Sequence, residues 1–449
     1  MQICLRISLL LALLISNAIA HEQASDLWML YQEAQLQDPS LQQAMSYRDA
    51  SGYREQEAKG RLLPQVSLDS TFSRSRQDYE QRGIQYDGRS HALSLSQTLY
   101  DPEAWRNYQK FREQTQQQHL AADDTQNQTA FQIAELYFAI LAAEDEYALI
   151  KSELEATQSN QQRIQALYGR QMSMLTDVLD ADARVATLQA NLLDADNDVY
   201  TSRDAMAERI GRPLTTNLLR LDEKPDFTRL QRNDSDWVAT ALQRNPALRS
   251  QEHSMIAAEN AFLEGKAGHL PQVSLSISAQ RSDIGYEGNQ APQSTTYIAA
   301  VGIQVPIYSG GSTSARSAAL YSEKDAESYE YERLKRQVIR ETRAALLKVE
   351  TGPSRIQAAE QAQNSAIKSR QAAERAFGLG VLNAVQVLER VSDEYQARRD
   401  LLRSHYNYIT NLLLLYRWSG TLSEEDLRNS SQLLTRLGSS AAKASFQSE

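Results

Sequence analysis

The 449-residue chain is acidic, with 57 Asp and Glu against 47 Lys and Arg and a formal net charge of −10, which argues against nucleic acid or an anionic lipid surface as its main partner. Its single cysteine, Cys4, precedes an N-terminal apolar run, so the remainder of the chain has no disulfide, no thiolate metal site and no cysteine nucleophile. Beyond that run no apolar stretch approaches the roughly 18 residues of a membrane-spanning helix, which excludes a helical membrane protein but not a β-barrel, whose strands signal far more weakly.

In chain order, residues 1–20 read as a signal peptide: Arg6 is the positive start, Ile7–Ile15 a short apolar core, and Ala18-Ile19-Ala20 an A-x-A cleavage signal. Cleavage there leaves a chain beginning at His21 with net charge −11, and no cysteine follows the apolar core to carry a lipid anchor. A helix is expected over Ser25–Lys59. It ends in the hexapeptide LPQVSL at Leu63–Leu68, which recurs letter for letter at Leu270–Leu275, 207 positions on. Other pairs fall at nearly the same offset: Asp38-Pro39-Ser40-Leu41 with Asn245-Pro246-Ala247-Leu248, Leu99-Tyr100 with Ile307-Tyr308, Tyr168-Gly169 with Phe377-Gly378, and Ile210-Gly211 with Ser419-Gly420. The chain is a tandem duplication of a unit of about 200 residues. Its segments are then a signal peptide (1–20), a first repeat (21–222), a linker (223–235), a second repeat (236–430) and a polar tail (431–449).

Each hexapeptide opens a strand. Val66, Leu68 and Phe72 alternate with Ser67, Asp69 and Thr71; Val273, Leu275 and Ile277 alternate with Ser274, Ser276 and Ser278. Partner strands follow, with Leu93 and Leu95 in the first repeat and Tyr297, Ala299, Val301, Ile303 and Val305 in the second, across polar loops at Gln77–Ser90 and Asp283–Thr295. Period-two alternation predicts strands with one apolar face. Pro64 and Pro271 mark the helix-to-strand junctions.

From Glu103 to Tyr168 there is neither glycine nor proline. Such a helix would span roughly 100 Å, and its apolar residues, such as Phe131, Ala134, Phe138 and Leu141, come at spacings of three and four that suit a seam with neighbouring helices. A turn at Gly169–Met174 leads into a second helical stretch, Arg170–Ile210, and an irregular piece, Gly211–Asp236, is expected part-way along the long helix. The second repeat has the same plan: a helix over Asp236–Lys266, the strands, a long helix over Ser312–Phe377 that Gly352-Pro353 should kink or break, tip glycines Gly378 and Gly380, and a return helix over Leu379–Ser419. In each repeat the first helix should stack end to end on the shorter return helix.

Four strands per chain cannot close a barrel, and an open edge cannot sit in lipid. Two chains would supply eight strands and a filled interior; three would supply twelve and a lumen.

The sequence carries no recognisable catalytic constellation. The six histidines are scattered with no metal-binding spacing, Ser309-Gly310-Gly311-Ser312 lacks the ending of a phosphate loop, and no nucleophile or dinucleotide fingerprint occurs, so no catalytic, cofactor or metal residue is assigned. The useful constellation is acidic: Thr176, Asp177 and Asp180 open the first return helix, and Glu389 is equivalent to Asp180 in the second. Carboxylates there are either a focused negative ring around a pore or the ordinary preference of a helix N-terminus for acid.

The ordered set LLPQVSL, SLSQTLYD, YG-x₇-DVLDADAR, ERIGRPL, GHLPQVSL, VPIYSGG and SGTLSEEDL resembles the TolC family of outer-membrane exit ducts, most closely its type I secretion branch, from Ser25 to about Leu427. The resemblance implies an α+β membrane protein of the Gram-negative outer membrane: a homotrimer whose twelve strands form one barrel, continued by a periplasmic α-helical coiled-coil tunnel. It implies no catalysis. The partners would be a periplasmic adaptor protein, an inner-membrane ABC or proton-driven transporter, and outer-membrane lipid. The periplasmic entrance would be ringed by Thr176, Asp177, Asp180, Phe377, Leu382, Gln386 and Glu389. Better-known members carry aspartates where this chain has Gln386 and Glu389, and lock the tunnel with a Tyr and an Arg where it has Phe377 and Leu382. A rival reading, a soluble periplasmic coiled-coil scaffold or chaperone, would not need four apolar-faced strands.

Overall fold

The computed structural model describes residues 25–79, 82–221, 234–284 and 292–431. The signal segment, most of the 223–235 linker, the tips of both strand loops and all but the first residue of the tail lie outside these.

The elements run α1 (Leu27–Gln37), α2 (Pro39–Gly60), β1 (Gln65–Tyr79), β2 (Arg82–Tyr100), α3 (Pro102–Gly169), α4 (Leu175–Ile210), α5 (Asp234–Arg244), α6 (Pro246–Ala267), β3 (Gln272–Ser282), β4 (Ser294–Gln304), α7 (Ser312–Gly378) and α8 (Ala384–Ser419). The two long helices have 68 and 67 residues, close to the expected bounds.

Four details depart from expectation. The helix before each hairpin is two helices, broken at Asp38 and Asn245, because the residue preceding a proline is driven out of the helical region; Asp38 has φ −63° and ψ 115°. Much of the presumed loop Gln77–Ser90 is strand, paired down to Tyr79 and Arg82. Helix α7 runs unbroken through Gly352-Pro353, with the bare Gly352 backbone lying against the Tyr408 ring: a Cβ there would fall 2.4 Å from the ring. The return helices begin at Leu175 and Ala384, several residues later than expected, because the tip turns and caps take up the difference.

The chain divides into two compact units: one from the described parts of Met1–Gln42, Asp124–Asn245 and Val338–Glu449, the other from Gln43–Asp123 and Pro246–Gln337. Each draws on both repeats.

In the first unit the main core gathers Leu30, Tyr31, Ile133, Tyr137, Phe138, Leu141, Met206, Leu346 and Leu413. Phe131, Ala134, Phe138 and Leu141 are all buried in it, so this stretch of α3 faces a substantial core as well as a helix seam. Leu214 and Leu218 pack into the same core, and the Tyr137 hydroxyl donates to the Leu219 carbonyl at 2.8 Å. The piece after α4 therefore lies against the middle of α3, part-way along it as expected. Each return helix ends in a left-handed glycine at the break in the preceding helix pair. Gly211 (φ +74°) lies by Gln37, and Gly420 (φ +67°) by the Arg244–Asn245 backbone, where a Cβ would meet Arg244 at 2.5 Å. The shorter first helices, α1 and α5, lie against α4 and α8 respectively.

In the second unit β1-β2-β3-β4 form one antiparallel sheet. Register matches like with like: Val66 pairs Leu95, which pairs Ile277, which pairs Ala299. On the other face Ser67, Ser94 and Ser278 are in line. Paired residues of an antiparallel ladder share a face, so one face is apolar and the other is rich in serine. The apolar face is uncovered, with Val66, Leu68, Val301 and Ile303 each more than 60% exposed. Pro64 and Pro271 each immediately precede a strand. Beneath the sheet, α6 meets the starts of α3 and α7. Gly265 admits Leu320, and buried Glu264 takes Lys110 and Arg316, each at 2.7 Å.

No helix among the described residues is long and apolar enough to cross a membrane.

Candidate functional site

The predicted entrance residues fall at the two helix-hairpin tips, both in the first unit. The turns are built alike. After α3, Met172 N–H donates to Leu167 O and Gln171 N–H to Tyr168 O; after α7, Val381 N–H donates to Ala376 O and Gly380 N–H to Phe377 O. This is the Schellman arrangement, with a left-handed residue past the helix end. That residue is Gln171 (φ +59°) at the first tip and Gly380 (φ +75°) at the second. Gly169 and Gly378 are instead the last helical residues.

Asp177 and Gln386, equivalent in the duplication, do the same work. The Asp177 carboxylate accepts from Met174 N–H at 3.1 Å and from the Ser173 hydroxyl at 2.8 Å. Gln386 accepts from Asn383 N–H at 3.3 Å, while Asn383 Oδ1 accepts from Gln386 N–H at 2.9 Å, a reciprocal capping box. Either side chain can accept from the helix start, which explains how a neutral amide serves where the first repeat has an acid.

Asp180 and Glu389 are exposed and line one groove of about 480 Å³ between α4 and α8. Arg184, Arg390 and Asp393 line it as well, and Arg390 pairs with Asp393 at 2.7 Å. Within one chain the groove is thus mixed in charge rather than purely acidic. Thr176 is exposed beside it in sequence, and Leu382 is half-buried.

Phe377 is half-buried against a small cluster of Ile164, Ala181, Ala384 and Leu388, to which the tips of α3, α4 and α8 all contribute. The Arg163 guanidinium lies 4.8 Å from the Phe377 ring centroid, a cation–π contact between the two hairpins. Farther along, Glu153 on α3 is 1% exposed and takes Arg184 of α4 at 3.1 Å and Arg399 of α8 at 3.0 Å. Arg184 also donates to Ser392. Glu394, equally buried, takes Arg370 and Arg398. Sequence reasoning missed these arginines. Only Glu394–Arg398, at helical spacing, carried a local signal; the other partners lie far apart in sequence.

Among the described residues no group of His, Cys, Asp and Glu is arranged to hold a metal ion.

A sheet with an uncovered apolar face and unpaired outer edges, carried on long paired helices with capped tips, defines a barrel-forming outer-membrane channel. The chain belongs to the outer membrane efflux protein family, whose model matches residues 30–212 and again 237–421, once per repeat. It is 26% identical over 408 residues to the outer membrane protein TolC of Vibrio cholerae, covering 90% of this chain and 92% of that one. It is 26% identical over 402 residues to the alkaline protease secretion protein AprF of Pseudomonas aeruginosa, covering 87% and 83%. Among solved structures, the Vibrio cholerae outer membrane protein VceC superposes with a TM-score of 0.76 at 16% identity, over 88% of this chain and 96% of that one. The expected fold class and the Gram-negative outer-membrane location are borne out, as is the role of exit duct for type I secretion or efflux. Channels of this family are trimeric and work within tripartite machinery.

Proposed function

We propose that this chain forms a homotrimeric, non-catalytic exit duct for type I protein secretion, exported to the outer membrane after loss of residues 1–20. Three copies of the four-stranded sheet would pair β4 of one chain with β1 of the next and close twelve strands around a lumen. The apolar ladder Val66–Leu95–Ile277–Ala299 carries this reading. It leaves bulky side chains on one face uncovered by any helix among the described residues, while serines line the opposite face, which suits lipid on one side and water on the other. A soluble scaffold or chaperone has no use for such a face. The likeness to a protease secretion protein along most of both chains favours a polypeptide cargo and an ABC-type transporter, joined through a periplasmic adaptor.

In this reading cargo enters between the hairpin tips. Asp177 and Gln386 shape the entrance as helix caps; Asp180 and Glu389 face the passage and give it cation preference when their symmetry mates converge. Phe377 and Leu382, standing where relatives keep a Tyr and an Arg, do not make the polar lock. The Arg163–Phe377 contact and the buried Glu153 pairs hold the hairpins together instead.

Planar-bilayer recording tests the entrance. Wild-type channels should prefer cations and be blocked by multivalent cations from the periplasmic side. Asp180→Ala with Glu389→Ala should relieve the block and reduce selectivity while the trimer survives. Unchanged block and selectivity would reduce both acids to solvated groups at a helix start.

A further inference from the structure

At the foot of the sheet, within the second unit, a groove of about 790 Å³ opens between the end of β2 with the start of α3 and the end of α6. Its walls are apolar and unusually bare: Leu99, Tyr100, Trp105 and Leu270 are each 44–54% exposed. A bulge between Thr98 and Tyr100 breaks the ladder here and sets Tyr100 opposite Val273 on the apolar face, so the groove continues the surface assigned to lipid. Among its Arg, Lys, His, Asp and Glu lining the basic side chains predominate, with Arg106, Lys266 and His269 against the one carboxylate Asp101. Asp101 is occupied, accepting from Ala104 N–H at 3.0 Å as the cap of α3. The neighbouring carboxylates Glu103 and Glu264 are taken by Arg316 and Lys110. The Lys266 and His269 side chains make no hydrogen bond or ion pair among the described residues, and Arg106 bonds only neutral amides, Gln109 at 2.8 Å and Asn260 at 3.5 Å.

We propose that this groove is a phospholipid site, one per protomer, for a glycerophospholipid of the periplasm-facing leaflet. The acyl chains would lie over Leu99, Leu263 and Leu270. The phosphate diester would be met by Arg106, Lys266 and His269, and the rings of Tyr100 and Trp105 would sit at the boundary, where amphipathic aromatics are favoured. Basic clusters at a membrane border recognise lipid phosphate in this way. The groove lies on the β2–β3 seam, interior to each chain's sheet, so chains joined at the β1 and β4 edges leave the seam itself inside one protomer. The proposal rests on the reading of the sheet as part of an outer-membrane barrel.

Native mass spectrometry of the detergent-purified full-length protein decides it, with phosphatidylglycerol and a diacylglycerol of the same chains as probes. Outer-membrane fractionation and the trimer mass come first, so failure of the barrel reading is seen separately. Phosphatidylglycerol should saturate at three per trimer and bind at least tenfold more tightly than diacylglycerol. Lys266→Gln with His269→Gln should weaken phosphatidylglycerol at least fivefold and leave diacylglycerol unchanged, while Leu99→Ser should weaken both. Equal binding of the two probes, or phosphatidylglycerol affinity unchanged in the Lys266/His269 variant, would overturn the proposal and leave an apolar patch. Should that variant not assemble, the wild-type comparison of the two probes still separates a phosphate site from an apolar patch.

Discussion

Arg399 of the second return helix reaches Glu153 of the first long helix at 3.0 Å, and Arg184 of the first return helix meets the same carboxylate at 3.1 Å. One buried acid therefore ties both helix hairpins of a chain together. Removing a single member of a buried pair typically costs about 3–5 kcal/mol, because its partner is left charged and unpaired. Arg184 is 38% exposed and can turn to water, so Glu153→Gln should cost less, about 2–3 kcal/mol. The expected outcome is a loosened entrance: higher single-channel conductance and greater leakage of bulky antibiotics into cells, with the trimer intact. Wild-type conductance and leakage in Glu153→Gln would remove the tie from the gating account.

The strand faces make a paired prediction. Leu275 stands in register with Gln97 and Val301, and Ser276 with Ser96 and Ala300. Arginine on the lipid face near the bilayer midplane should cost about 2–4 kcal/mol, and far less on the lumen face. Assembly yield of heat-resistant trimer should collapse for Leu275→Arg and hold for Ser276→Arg. Equal defects would reverse or abolish the assignment.

Gln171 is the only non-glycine residue with positive φ among the described residues, and its counterpart in the duplication is Gly380. A side chain in the left-handed region costs about 1–2 kcal/mol, part of which a glycine returns as unfolded-state entropy. Gln171→Gly should stabilise the first tip by about 0.5–1 kcal/mol, and Gly380→Ala should destabilise the second by a similar amount. Protease nicking at the tips reads both changes, and the two should move in opposite directions.

His405 supplies a pH dependence. Burial holds its imidazole below the ordinary histidine range, opposed in part by the charge of Glu360. The folded state thus binds its proton less readily than the unfolded chain. Its contribution to stability is fully present above about pH 6.5, the unfolded value, and is lost as pH falls through the lowered folded value. Thermal unfolding of the helical signal should fall more steeply below pH 6.5 in wild type than in His405→Gln. Parallel curves for the two proteins would remove His405 from the acid response.

The sequence by itself determined the duplication, the strands and the long helices: the first helix from the absence of glycine and proline over more than sixty residues, the strands from period-two alternation, and the second long helix from its repetition of the first. It also located the tips, because Tyr168-Gly169 and Phe377-Gly378 interrupt those helices. Tertiary structure decided what the tip residues do. Asp177 and Gln386 look unlike each other in sequence yet serve as the same cap, because a helix start needs an acceptor and both side chains provide one. Helix α7 runs on without a break through Gly352-Pro353, where local rules allowed a break, and the bare glycine there receives the Tyr408 ring from a distant helix. Glu153, Arg184 and Arg399 carried no local signal: their meeting depends on how three helices pack, and a buried charge selects its partners by proximity in space rather than by spacing along the chain.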